Sequence, residues 1–389
     1  MKRHAPYLLI GLVFCAMQAL GWMTSIDNAL QDLRHKIDGR PATGEVILVD
    51  IDTRSLRAID VWPWPRSLHG ALVDRLVADG AERIAFDIDF SSRSTDIEDR
   101  TFADALARSD GRVVLAALQQ VTHNQDGAES LVFNAPIGML RDHVTLGLVN
   151  VFPGTDSFIR QYRSGTEVAG RFVSSLPFAL AEQSGDGLSE ITIDYGIRPT
   201  TIPRVSFVDV LAGNIPPGTF DGKAVVVGAT ALELGDQFAA PVYGVIDGPM
   251  LQAMAYETIV QDRDIIPVGN LPAMLGIMTL AVLWAFMTRH HWAVRATAVL
   301  AAIAIGQIAG LLALHEGAWA LEPAGGTGAV FCCFAFELVK DIERQAVTIF
   351  QQRLTLGRNA KMLDRVVSDS FDGIVVTDED GQIEVFNAA

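Results

Sequence analysis

Apolar positions are spread unevenly along the chain. Tyr7–Met23 and residues 270–339 are apolar almost throughout, while the segment between them alternates short apolar runs with polar stretches. Short continuous apolar runs bounded by turn residues suit strands buried on both faces, and spacings of three and four suit helices. On that basis Val46–Asp52 is a strand. Ser67–Asp79 is a helix capped by Ser67 and stopped by Gly80, Arg83–Asp89 a second strand, Ile97–Arg108 a helix and Arg112–Leu118 a third strand. Beyond these, Ser174–Gln183 and Ser206–Ala212 suit short helices, Lys223–Gly228 a buried strand and Pro249–Val260 an amphipathic helix. The β-α-β-α-β order predicts an α/β fold, a mostly parallel sheet covered by helices on both faces. Asp27–Ile37 reads as a helix with Leu30, Leu33 and Ile37 on one face.

The apolar stretches divide into four candidate membrane spans: Tyr7–Met23, Leu271–Met287, Ala296–Leu314 and Trp319–Val339. Each falls within the roughly 17–25 residues that a spanning helix needs. Lys2 and Arg3 precede the first span, Arg289 and Arg295 lie between the second and third, and Lys340, Arg344 and Arg353 follow the fourth. Positive charge favours the cytoplasmic side. The expected topology therefore has both termini in the cytoplasm and residues 25–268 outside. Ala19-Leu20-Gly21 leaves a cleaved signal peptide open as the alternative for residues 1–24.

Charge narrows the partners. The net charge is −16, and Ser25–Val268 holds 34 Asp and Glu against 20 Lys and Arg, a balance of −14. Such a surface repels phosphate backbones and excludes nucleic-acid binding by that segment. Cations, amines or a basic partner fit better. The three cysteines, Cys15, Cys332 and Cys333, all lie in apolar runs, so the middle segment rests on neither disulfides nor cysteine-held metal.

Candidate chemistry centres on residues 46–66, VILVDIDTRSLRAIDVWPWPR. Asp50 and Asp52 end one strand, and Asp87 and Asp89 end the next in IAFDIDFSS. Ligands of open α/β sheets bind outside the carboxyl ends of strands. If the two strands are neighbours, Asp50 and Asp87 repel and need a counter-charge: Arg66, a bound cation or a proton. Trp62 and Trp64 then either line a ligand pocket or plug the sheet end. A dehalogenase-type phosphatase site is the catalytic alternative. Asp87, Asp89 and Ser91 fit its first motif and Thr230 its second, but Arg54 breaks the pattern at Asp50, and no lysine follows before Lys340. No serine-nucleophile elbow or phosphate-cradling glycine loop occurs, and His35, His69, His123 and His143 lack metal-ligand spacing. A transporter is disfavoured because the spans carry no central ionisable residue. Nothing in the residues names a cofactor.

VILVDIDTRSL, WPWPRSLHGALVDRL, GAERIAFDIDFS, SFVDVLAG and FDGKAVVVGAT together resemble the type 2 CHASE domain, an extracytoplasmic sensor of bacterial signalling proteins. The resemblance covers about residues 25–265 and departs from the family pattern in Ala240–Met254. It implies a sensory role and three spans after the domain, but no particular ligand.

After the last span, Ile342, Ala346, Ile349, Arg353, Leu356, Ala360, Leu363 and Val367 recur in steps of four and three, a coiled-coil seam that implies a parallel homodimer. Gly357 weakens that helix by about 1 kcal/mol relative to alanine. Residues 369–389 then resemble the opening of a PAS domain, with strands Ile374–Thr377 and Gln382–Phe386 around Asp380-Gly381 and Asn387 after them. The expectation is the sensory half of a longer signalling protein, divided into an anchor (1–24), a sensor domain (25–268), three spans (269–339), a signalling helix (340–368) and a PAS start. The expected output is cyclic-di-GMP turnover of the GGDEF/EAL type, with a histidine kinase as the alternative and a membrane-anchored phosphatase as the rival of another class.

Overall fold

A computed structural model describes residues 4–59, 62–123, 129–183, 187–368, 373, 375–378 and 380–386. The chain forms two compact units. One comprises Gly21–Ala273 with Gly306–Ala324, the other Met1–Leu20, Met274–Ile305 and Gly325–Ala389.

The first unit is built on a seven-stranded sheet of β1 (Val46–Ile51), β2 (Arg83–Asp87), β3 (Val113–His123), β4 (Glu129–Asn134), β5 (Thr145–Leu148), β6 (Arg204–Ser206) and β7 (Ala224–Ala229). The order is β6-β1-β7-β2-β3-β4, with β5 also on β3, and every ladder is parallel except β3–β4. Both faces are covered, as continuous apolar strands require. The α-helices of five residues or more among the described residues are α1 (Ala5–Ala19), α2 (Thr24–Ile37), α3 (Thr53–Ile59), α4 (Arg66–Ala78), α5 (Asp96–Arg108), α6 (Leu176–Leu180), α7 (Phe207–Ala212), α8 (Gly248–Val260), α9 (Asn270–Met287), α10 (Trp292–Gly317) and α11 (Ala324–Ser368). Val46, Leu48, Ala85 and Val226 turn toward α6 and α8. Ile47, Val49, Phe86 and Val227 turn toward α4, α5 and α7.

Three expectations need correction. β1 and β2 are not neighbours, because β7 lies between them. Its first five residues are all buried, the mark of a central strand. Thr53–Arg66, which reads from sequence as a long loop between strand and helix, is no open loop, since α3 occupies its first half. Ser67 does not cap its helix: α4 begins at Arg66 after Pro65, and the Ser67 N–H donates to Glu98 at 2.7 Å. On α2, Leu33 and Ile37 are exposed, whereas Asp27, Arg34 and His35 are buried.

In the second unit, α1, α9, the first part of α10 and the start of α11 bury Tyr7, Trp284, Val299, Val330 and Cys333 together. Arg295, placed between spans by sequence, instead lies inside α10, buried, 3.2 Å from the buried Glu337 and paired also with Asp341. Tyr7 donates its hydroxyl to Glu337.

Among the described residues, two helices are long and apolar enough to cross a membrane, α9 and α10, with a third only if α1 and α2 together form one broken span. The expected four-span count is corrected on two grounds. α1 has 15 residues, about 22 Å at 1.5 Å each against a hydrocarbon core of about 30 Å. Trp319–Val339 is not one helix, because Trp319–Ala320 pairs with Ile266–Pro267 and α11 starts at Ala324.

α11 runs unbroken for 45 residues. Ile342, Ala346, Ile349, Arg353, Leu356 and Ala360 lie exposed along it, as do Val347, Phe350 and Leu354. The side chains of Leu363 and Val367 lie outside the described residues. Val375–Thr377 and Ile383–Phe386 form an antiparallel hairpin. Ile374 and Asn387, part of the PAS resemblance, lie outside the described residues.

Candidate functional site

Period-two alternation decides where the strand-end acids point. Asp50, Gly228 and Asp87 are register partners across β1, β7 and β2. They share the parity of Leu48, Val226 and Ala85, and so face α8. Trp64 belongs to the opposite face: its ring lies 4.8 Å from Phe207 and 5.2 Å from Trp62. Arg66 lies on that face too. It pairs with Asp99 at 2.6 Å, donates to the Ser92 carbonyl, and stands over the Phe90 ring. The tryptophans and Arg66 therefore do not meet the aspartates, and Arg66 is not their counter-charge.

The counter-charge is Arg204 of β6, which sequence reasoning passed over. It donates to both Asp50 oxygens, at 2.8 and 3.1 Å, and to Asp247 at 3.2 Å. Asp247 in turn caps α8, accepting from the Met250 N–H at 2.9 Å. Asp-Gly-Pro at a helix start is a capping signal, so Asp247 was findable from sequence. Arg204 and Asp236 were not, because nothing local ties them to β1 or β2.

Two glycines let α8 approach the strand ends. A Cβ on Gly228 would lie 3.2 Å from the Asp87 Cβ and collide with the Pro249 ring. A Cβ on Gly248 would run into the Asp236 carboxylate. The Gly248 N–H donates to the Asp236 carbonyl at 3.0 Å.

Asp50 and Asp247 thus share one guanidinium, and Asp87 and Asp236 lie close enough to Asp247 to feel its charge. Burial pushes Asp87 up to about 8, and the charges of Asp236 and Asp247 add to it against the opposing hydrogen bond from Gln252. Gln252 is itself oriented by the Tyr162 hydroxyl, which donates to its carbonyl oxygen at 2.6 Å. Asp236 is pushed up to about 6 by burial and by Asp247. Asp50 is raised by burial in spite of Arg204.

The other two predicted acids are occupied locally. Asp52 accepts from the Ser55 N–H at 2.7 Å and the Ser206 hydroxyl at 3.0 Å. Burial works to raise it, but these bonds outweigh burial and hold it below the usual carboxylate range. Asp89 closes a turn onto Ser91. Among the described residues no group of three His, Cys, Asp or Glu is placed to hold a metal ion. The cluster can hold a proton near neutral pH.

No curated protein and no solved structure matches the chain. A family model described as the CHASE2 domain matches residues 9–288, well over half of the sequence. Its apolar helices fit a membrane protein. The chain therefore belongs to the CHASE2 family of extracellular sensor domains.

Proposed function

We propose that this chain is the sensory half of a dimeric bacterial transmembrane signalling protein of the inner membrane. In this reading the α/β unit lies outside the cytoplasm and the output acts inside it, which takes a crossing by the start of α11 beside those of α9 and α10. The observation that carries the reading is α11, one helix of 45 residues that leads from the sensor side to the terminal hairpin. Its exposed apolar row from Ile342 to Ala360 is a surface that a second copy of the helix can cover, extended by Leu363 and Val367 in the sequence. The hairpin is the start of a PAS domain, and the output beyond it is cyclic-di-GMP turnover, with a histidine kinase as the second form. A phosphatase is less well supported, because a carboxyl that holds its proton to about pH 8, as Asp87 does, is a poor nucleophile.

The test is seam phase. Deleting seven residues, Ala346–Gln352, keeps the row aligned and shortens the helix by about 10 Å. Deleting four turns the row by roughly 40°, and deleting three by roughly 60° the other way. In the full-length parent protein the seven-residue deletion should leave output responsive, and the other two should lock it on or off. Equal damage from all three would overturn the reading.

A further inference from the structure

A helix on the surface of a globular unit turns its apolar side inward and its polar side to water. α2 is turned the other way. Ile26, Leu33 and Ile37 are each more than half exposed, and with the exposed Ala29 they occupy about 80° of the helix at 100° per residue. The opposite side is polar and engaged. Asn28 donates to Asp156 at 3.2 Å, Asp32 accepts both terminal nitrogens of Arg160 at 2.7 and 2.9 Å, and the buried His35 faces Asp194 at 3.2 Å. Three large aliphatic side chains held in water forgo the stabilisation that an apolar medium would return.

The level of this row follows from what the inward side packs against. Arg34 donates to the Gln307 side chain at 3.0 Å and to the Leu321 carbonyl at 2.9 Å, and a Cβ on Gly310 would run into its guanidinium. Asp27 accepts the Ala324 N–H at 2.9 Å. Gln307 and Gly310 lie ten and seven residues before the end of α10 at Gly317, about 15 and 10 Å along it. α10 is one of the two helices long and apolar enough to cross a membrane, and Ile308 and Leu312, beside these contacts, are also more than half exposed. α2 is therefore fastened to the apolar length of a spanning helix, close to its end. Helices that lie in a membrane interface bury their apolar face about 5–10 Å into it. Lys36, exposed at the border of the row, has a stem long enough to carry its ammonium out to lipid phosphates.

We propose that the outward row of α2 lies in the lipid interface, so that the sensor unit rests on the membrane along this helix. The proposal rests on α10 as a span and is independent of dimerisation and output. The full chain is reconstituted in phosphatidylethanolamine–phosphatidylglycerol vesicles with a photoreactive diazirine residue in place of Leu33, Ile37, Ile97 or Ile308. Mass spectrometry then identifies what each carbene captures. All four side chains are exposed, and circular dichroism checks that each chain is folded. Lipid adducts are expected from the Leu33, Ile37 and Ile308 positions, and water adducts alone from Ile97 on α5. Should one of the two α2 variants not fold, the other decides. Water adducts from α2 with lipid adducts from Ile308 overturn the proposal and leave the span standing. Adducts from α2 to a second copy of the chain overturn it too, because a protein contact would then cover the row. Lipid capture at Ile97 in equal yield also overturns it, since capture would then carry no orientation. Water adducts from Ile308 as well as from α2 would remove the span and the proposal together.

Discussion

Asp50 and Asp87 are register partners of the same residue, Gly228, from opposite sides, yet they are compensated differently. Arg204 grips the first with two charged bonds, whereas the neutral Gln252 amide meets the second. One is therefore an ion pair and the other a carboxyl that keeps its proton to about pH 8.

That difference fixes a pH dependence. In the unfolded chain an aspartate gives up its proton near pH 4. Folded Asp87 gives it up near 8. Between those values the folded chain holds a proton that the unfolded chain has released, so stability falls as pH rises through the window. The melting temperature of the whole protein should drop between pH 5 and 8, and Asp87→Asn should flatten the drop. Identical slopes would assign the dependence to another group.

The two arginines should separate cleanly. Arg66 and Asp99 are both buried, and removing one partner of such a pair costs about 3–5 kcal/mol. Arg204 is 37% exposed, so solvent screens its pairs and Arg204→Gln should cost about 1–2 kcal/mol. Urea unfolding at pH 7 measures this, and a larger loss for Arg204→Gln than for Arg66→Gln would contradict it.

Gly228→Ala places a methyl against the Pro249 ring and the Asp87 side chain. Overpacking of this kind costs about 1–3 kcal/mol. Urea unfolding that shows no loss would mean that the start of α8 is not seated on β7.

Topology is open to alkaline phosphatase fusions. Fusions after Arg263 and Gly317 should be active, and one after Arg295, beyond the turn between α9 and α10, should be silent. Under the proposed function a fusion after Arg344 is silent as well. Activity there would leave α9 and α10 as the only crossings after the sensor unit.

Most strands and helices were legible because apolar runs and periodicity are local signals. Strand order was not. The place of β7 between β1 and β2 depends on where a segment some 140 residues downstream of β2 returns, and only the unbroken VVV run hinted at a central position. The parity that turns Asp50 and Asp87 to one face could be read from alternation alone. That Trp64 and Arg66 lie on the other face depends on which way the crossover after β1 turns. On α2 the apolar spacing was visible, but spacing cannot tell an inward face from an outward one when the buried partners are Asp27, Arg34 and His35.

The short ladder of Ile266–Pro267 with Trp319–Ala320 has a kinematic consequence. Its strands stand just before α9 and just after α10, so these two helices and the turn between them form a loop fastened at both ends. Neither helix can slide like a piston on its own without breaking the bonds Ile266 N–H to Ala318 and Val268 N–H to Ala320, at 2.8 and 3.2 Å. The pair is constrained to tilt or translate as one lever.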